Sequence, residues 1–201
     1  SIIWDRRDDP FNPTSGFLQG FVLRDAAQTI GSQAQFIKTT AQSSWYLSPI
    51  RRIVLAASAR GGWARNFGES TEVPITERFF LGGRSSVRGY SQDSVGINNK
   101  TVINGTPTGG NIMLLLNGEV RILLPYQVGL VFFTDSGGIW LKSGDVSPSG
   151  MRTSVGAGLR YNTPVGPLRL DVGRKIRRHR FDVAGTPPTT VGESVYEIHF
   201  T

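Results

Sequence analysis

The sequence predicts an all-β protein: an antiparallel transmembrane β-barrel or half-barrel of about eight strands, with a long extracellular loop folded into the lumen. Three observations predict it. Runs of about ten residues alternate apolar and polar and are separated by turn chemistry; tilted strands of that length span about 25 Å, the height of an outer-membrane apolar band. Hydrophobic residues make up 38% of the 201-residue chain and charged residues 18%, both low for a soluble domain but suited to strands that are apolar on one side only. No apolar run reaches the roughly 18 residues that a transmembrane helix needs, so membrane residence would have to be as a barrel.

Ile2 to Arg7 is a short first run, closed by a turn cluster from Asp8 to Gly16 that contains Pro10 and Pro13. Phe17 to Ala27 sets Phe17, Phe21 and Leu23 against Gly20, Val22 and Arg24, and a hairpin is expected around Gly31. Gln33 to Tyr46 ends in Trp45-Tyr46, an aromatic pair expected at the headgroup level, and Ser48-Pro49-Ile50 is expected to turn the chain. Arg52 to Ala64 puts Ile53, Leu55, Ala57, Ala59 and Trp63 outward. Gly110 to Leu124 places Leu114, Leu116, Gly118, Val120 and Ile122 on one face and Asn117, Glu119 and Arg121 on the other. After a turn at Pro125-Tyr126, Val128 to Trp140 directs Leu130 and Phe132 to lipid and Asp135 to the lumen.

Thr153, Val155, Ala157, Leu159 and Tyr161 form the next outer stripe, and Asn162 to Gly166 makes a short turn. Leu168, Leu170 and Val172 then face out against Arg169, Asp171, Gly173 and Lys175. A basic cluster from Arg174 to Arg180 and a Pro/Thr-rich loop lead to the last strand, where Tyr196, Ile198 and Phe200 alternate with Glu197 and His199. These are nine strand-like runs, or eight spanning ones if the first is too short. With the last strand running inward, the long connection falls on the outer face.

That connection, residues 66–109, is the sequence's strongest functional signal, because structureless loops beyond about 12–15 residues are usually functional or disordered. Its centre, Arg78 to Tyr90, is too apolar and aromatic for disorder and keeps neither strand nor helix period. Gly82-Gly83 gives a bend that can fold the loop back, so that it delivers one cation, Arg88, into the lumen. A guanidinium held there needs carboxylates, and the inward lists offer Glu119 and Asp135 on consecutive strands, at heights that one arginine bridges only with help from strand stagger.

Phe80-Leu81-Gly82-Gly83, followed after four residues by Arg88-Gly89-Tyr90 with Val87 before it, resembles the V-R-G-F/Y loop signature of the BamA/TamA outer-membrane insertase superfamily. Phe133-Thr134-Asp135-Ser136-Gly137 resembles that family's F-x-D-x-G strand motif, and Gly166 to Asp171 its penultimate G-P-L-R-x-D pattern, all in the family's order. Tyr196, Ile198 and Phe200 resemble the aromatic-ended C-terminal signal of outer-membrane barrels. The resemblance implies a barrel of about sixteen strands behind periplasmic POTRA domains. Residues 1–201 match only its C-terminal half, one transmembrane region with no POTRA-like segment. It implies that Arg88 pairs with Glu119 and Asp135, and that the protein inserts other β-barrels into an outer membrane without a cofactor or nucleotide. Nascent β-barrel clients, lipid and lipopolysaccharide are the implied partners, with self-association or accessory lipoproteins beside them. The location implied is the Gram-negative outer membrane, with an organelle outer membrane as the alternative.

Two rival readings have distinct signatures. A two-partner-secretion-type translocation pore would conduct steadily, and a soluble β-sandwich or lipocalin-like binder would extract without detergent. The net charge of +7 is spread over strands and turns, which argues against nucleic acid; the cluster around Arg177 is expected at the outer face, where lipopolysaccharide phosphates suit it. An enzyme is not expected: there are two histidines, no cysteine, no phosphate loop, no HExxH pattern and no nucleophile elbow.

Overall fold

The structure is a computed structural model that describes residues 1–27, 34–163, 166–176, 180–183, 189–192 and 194–200. Its strands are β1 (Ile2–Asp5), β2 (Gly16–Ala26), β3 (Phe36–Ile50), β4 (Ile53–Asn66), β5 (Val102–Ile103), β6 (Thr106–Pro107), β7 (Ile112–Leu123), β8 (Val128–Trp140), β9 (Arg152–Thr163), β10 (Gly166–Lys175), β11 (Arg180–Val183), β12 (Thr189–Gly192) and β13 (Tyr196–Phe200). Nine of them form one sheet in the order β1-β2-β3-β4-β7-β8-β9-β10-β13, and every pairing is antiparallel. Among the described residues no ladder joins β1 to β13. β5 with β6, and β11 with β12, are small separate hairpins.

Side-chain alternation decides which face is which. Leu55, Val120, Phe132, Leu159, Leu168 and Ile198 point outward and stay exposed, an apolar surface that runs from strand to strand. The concave face is covered in its upper half by the connection between β4 and β7. That connection supplies about half of the central buried cluster: Val73, Phe79, Leu81, Val87, Tyr90 and Val95 pack on Phe36, Ala64, Met113, Leu115 and Ile139 of the wall. The second layer is therefore a loop. It explains why β7 opens with Ile112-Met113-Leu114-Leu115-Leu116: with lipid-type exposure on one side and the loop on the other, both faces are apolar there.

Two turns differ from expectation. β3 does not end at Ser48-Pro49-Ile50; a register shift between Leu47 and Ile50 absorbs the proline as an irregularity, and Ile50 pairs with Ile53, so the chain reverses at Arg51-Arg52. Pro125 precedes the next reversal, where Tyr126 and Gln127 both take positive φ, 60° and 62°, the twist that a two-residue hairpin requires. The aromatic pair Trp45-Tyr46 also separates. Neighbouring strand residues face opposite ways, so Trp45 is exposed against Phe17 while Tyr46 lies under Arg121 on the concave side. The expected hairpin at Gly31, the middle of the turn at Asn162 to Gly166, and residues 177–179 of the basic cluster lie outside the described residues.

The β1–β2 turn is organised by one carboxylate. Asp8 accepts hydrogen bonds from the amides of Asp9, Thr14 and Ser15 and from the Thr14 hydroxyl. Partial burial pushes its pKa up, but these donors outweigh it and hold the group at about 2, against an ordinary 3.8. A depressed folded-state pKa means that the turn's contribution is complete above about pH 4 and is lost as pH falls towards 2. The protection of the Thr14 and Ser15 amides, taken against their intrinsic exchange rate at each pH, is expected to fall across that window in the parent and to be low throughout in Asp8→Ala.

Candidate functional site in the lumen loop

The loop begins at the inner faces of β2 and β3. Glu77, in a single 3-10 turn over Ile75–Glu77, accepts from Arg24 at 2.9 Å and from Lys38 at 3.3 Å. Phe79 and Gly110 then exchange backbone hydrogen bonds, which closes the loop at its neck. Past Leu81 the chain turns sharply at Gly82 and Gly83, with φ of 120° and 88°. A Cβ at Gly82 would lie 2.3 Å from the Ser91 carbonyl oxygen, so this bend is restricted to glycine on two counts. Ser86 Oγ receives the Gly82 amide, and the Gly83 amide donates to the Tyr90 carbonyl, which fixes residues 83–90 as one compact turn. Val87 and Tyr90 are fully buried, and Arg84 and Ser85 face the lumen.

Arg88 emerges from this turn against β7 and β8. Its Nε and Nη2 donate to Asp135 Oδ2 and Oδ1, both at 2.8 Å, and its own backbone amide adds a third bond to Oδ2 at 3.0 Å. Nη1 donates to Glu119 Oε1 at 2.6 Å and lies 3.8 Å from Asp171 Oδ2. The guanidinium carbon stacks 3.6 Å from the centroid of the Phe133 ring. Arg88 is 5% exposed and Asp135 is not exposed at all. Burial works against the guanidinium charge, yet the Asp135 hydrogen bonds and the nearby carboxylates outweigh it and raise its pKa above the ordinary value.

Register explains how one arginine reaches both acids. Asn117 sits opposite Asp135 and Glu119 opposite Phe133, so Glu119 and Asp135 are diagonal neighbours on the same face. Asn117 Nδ2 bridges Asp135 Oδ1 and the Ser86 carbonyl, both at 2.8 Å, tying acid and loop together. Glu119 is shared with Arg121 at 2.7 Å, and Asp171 is held by Arg160 at 2.6 and 2.9 Å. Three guanidinium groups thus interleave with three carboxylates. β9–β10 pairing sets Gly158 opposite Asp171 and Arg160 opposite Arg169, which makes Arg160 the diagonal neighbour of Asp171 on the same face. Next in line, the Gly89 amide donates to Ser154 of β9. Below the clasp a cavity of about 420 Å³ opens on the concave side, lined by Arg60, Arg84, Arg121 and Arg169 among others.

Asn117, Arg121 and Ser154 are the site residues that sequence reasoning did not single out, and Phe133 entered it only as a motif residue, not as the ring under Arg88. Their inward alternation was the available signal. At the other end of the chain, Tyr196, Ile198 and Phe200 do not join the site: they face outward on β13 and are exposed. Among the described residues no group of histidine, cysteine or acidic side chains is placed to hold a metal.

The model of the Omp85 superfamily domain matches residues 1–200. The chain belongs to the Omp85 superfamily. Its relatives include the outer membrane protein assembly factor BamA of Neorickettsia risticii, 31% identical over 196 residues that cover 92% of this chain and 25% of that protein. BamA of Nitratidesulfovibrio vulgaris is 30% identical over 184 residues, 87% of this chain and 23% of that protein. A SAM50-like protein of Schizosaccharomyces pombe is 28% identical over 200 residues, 85% of this chain and 40% of that protein. The fold matches the crystal structure of BamA from Haemophilus ducreyi lacking POTRA domains 1–3, with a TM-score of 0.74 and 19% identity over 98% of this chain and 40% of that one. This Omp85 chain spans about a quarter of the length of the BamA relatives, and its place is an outer membrane.

Proposed function

We propose that this Omp85 chain is barrel wall and lumen loop of a machine that inserts other β-barrel proteins into an outer membrane. The observation that carries the reading is the clasp of Arg88 by Asp135 and Glu119, which fixes a long loop inside the wall at one rigid point. Membership of the superfamily and relatives named as assembly factors support it. No nucleotide, cofactor or catalytic step enters. Client strands gain free energy by burying apolar faces in lipid and pairing their backbone groups there. The protein's part is to offer a template. Among the described strands β13 pairs with β10 alone, and in this reading its other edge is the lateral seam to which a client strand adds. Its partners in this reading are nascent β-barrel chains, hydrocarbon and lipopolysaccharide around the wall, and accessory lipoproteins or a second copy.

The chain has no cysteine, so one introduced at Ile198 on the exposed face of β13 is unique. In proteoliposomes free of nucleotide, a stalled client with a cysteine in its terminal strand is expected to cross-link to Ile198→Cys and not to a cysteine at Leu116, in the middle of the wall. Equal labelling of both positions, or client insertion no faster than into empty liposomes, would remove the seam reading. A steady single-channel conductance without clients would favour a translocation pore instead.

A further inference from the structure

Among the described residues the five-residue strand β13 is attached to the sheet through a single ladder to β10, and its outward side chains are exposed. Its two inward side chains meet the lumen loop. His199 Nε2 lies 2.9 Å from the carbonyl oxygen of Arg88. A carbonyl only accepts, so this ring nitrogen carries the proton and donates. Glu197 Oε1 accepts from Ser91 Oγ at 2.7 Å and from Ser194 Oγ at 2.8 Å, with Lys175 Nζ at 3.7 Å. Loop residues 88–91 therefore cross β10 and meet the terminal strand at two points.

The loop can come that far because Gly173 offers no side chain: its α-carbon faces the Arg88 carbonyl. Arg88 thus holds opposite sides of the site with different atoms. Its guanidinium grips β7 and β8, and its carbonyl receives β13. The carbonyl cannot shift without pulling on the side-chain bonds to Asp135, so the position of the terminal strand is referred to the rigid part of the wall.

We propose that His199 and Glu197 are positioning residues through which the lumen loop holds β13 in place. The inference rests on the seam reading above for its consequence, since a held β13 is a seam strand whose release the loop controls; the tie itself is independent of what the protein inserts.

Hydrogen exchange of the whole protein in proteoliposomes tests it. His199→Ala is expected to speed exchange of the β13 amides, Tyr196 to Phe200, by roughly three- to tenfold, the effect of losing one ordinary hydrogen bond, while β7 and β8 keep the parent rate. His199→Gln keeps an N–H donor at similar reach and is expected to restore most of the protection. Glu197→Ala is expected to act in the same direction on the Tyr196 end. Unchanged β13 exchange in both alanine variants would overturn the proposal, as would equal acceleration in β7 and β8, which would mark a general loss of stability. Client insertion is read separately. Faster β13 exchange with an unchanged insertion rate would uphold the tie and count against the seam reading instead.

Discussion

Arg88→Ala is expected to destabilise the protein by about 3–5 kcal/mol, the range found when one partner of a buried ion pair is removed. The cost falls unequally on the acids. Glu119 retains Arg121 and Asp171 retains Arg160, so neither is stranded. Asp135 loses two charged hydrogen bonds and keeps only Asn117 and a backbone amide for a carboxylate with no exposure to water. Most of the penalty is thus an uncompensated charge at Asp135. Two consequences distinguish this from a general packing loss. Adding Asp135→Asn to Arg88→Ala is expected to recover part of the stability, because it removes the stranded charge. Arg88→Lys is expected to fall between parent and alanine, because an ammonium cannot make the forked contact with Asp135 while also reaching Glu119. Heat-modifiable gel migration and urea midpoints measure all three. If the alanine variant has the parent's midpoint, or the double variant is less stable than the single by the full cost of each, the clasp does not bear on stability as argued. Client insertion is expected to fall together with stability in Arg88→Ala.

What could be seen in the sequence was what period 2 reveals. Alternation placed Leu114, Leu116 and Val120 outward and Glu119 and Asp135 inward, and the structure has them so. The same rule failed where its premise failed. It assumes one apolar and one wet face, but Met113, Leu115 and Ile139 are inward, apolar and buried because the loop supplies a second layer there. The relative height of Glu119 and Asp135 was undetermined because turn length fixes register, and the positive φ of Tyr126 and Gln127 has no glycine to announce it. Ser48-Pro49-Ile50 carried turn chemistry that the strand absorbs as an irregularity. The contact of His199 with Arg88 spans 111 residues and depends on a backbone carbonyl, which has no sequence signature at all.

Gly173→Val tests whether the loop must press on the wall, and its expected effect is second only to loss of Arg88. A Cβ at Gly173 would stand 2.5 Å from the Arg88 carbonyl oxygen, 2.7 Å from its carbon and 2.7 Å from the Gly89 nitrogen. All three are backbone atoms, so no side chain can swing aside to make room. Either β10 bends or residues 88 and 89 retreat, and a retreat stretches the bonds to Asp135, Ser154 and His199 together. Overpacking of this kind costs about 1–3 kcal/mol where a site can relax. Here relaxation also strips a buried charge of its partner, which places the expected loss at the upper end of that range. Gly61→Val is the control: it lies within β4, and a Cβ there meets nothing within 4 Å, so the gain in β propensity is expected to leave stability level or slightly raised. The diagnostic is the pairing of the two effects in the valine variant at 173, a lowered urea midpoint together with loss of β13 protection. A lowered midpoint with β13 fully protected would mean that the loop reaches the terminal strand by some route that does not pass over Gly173.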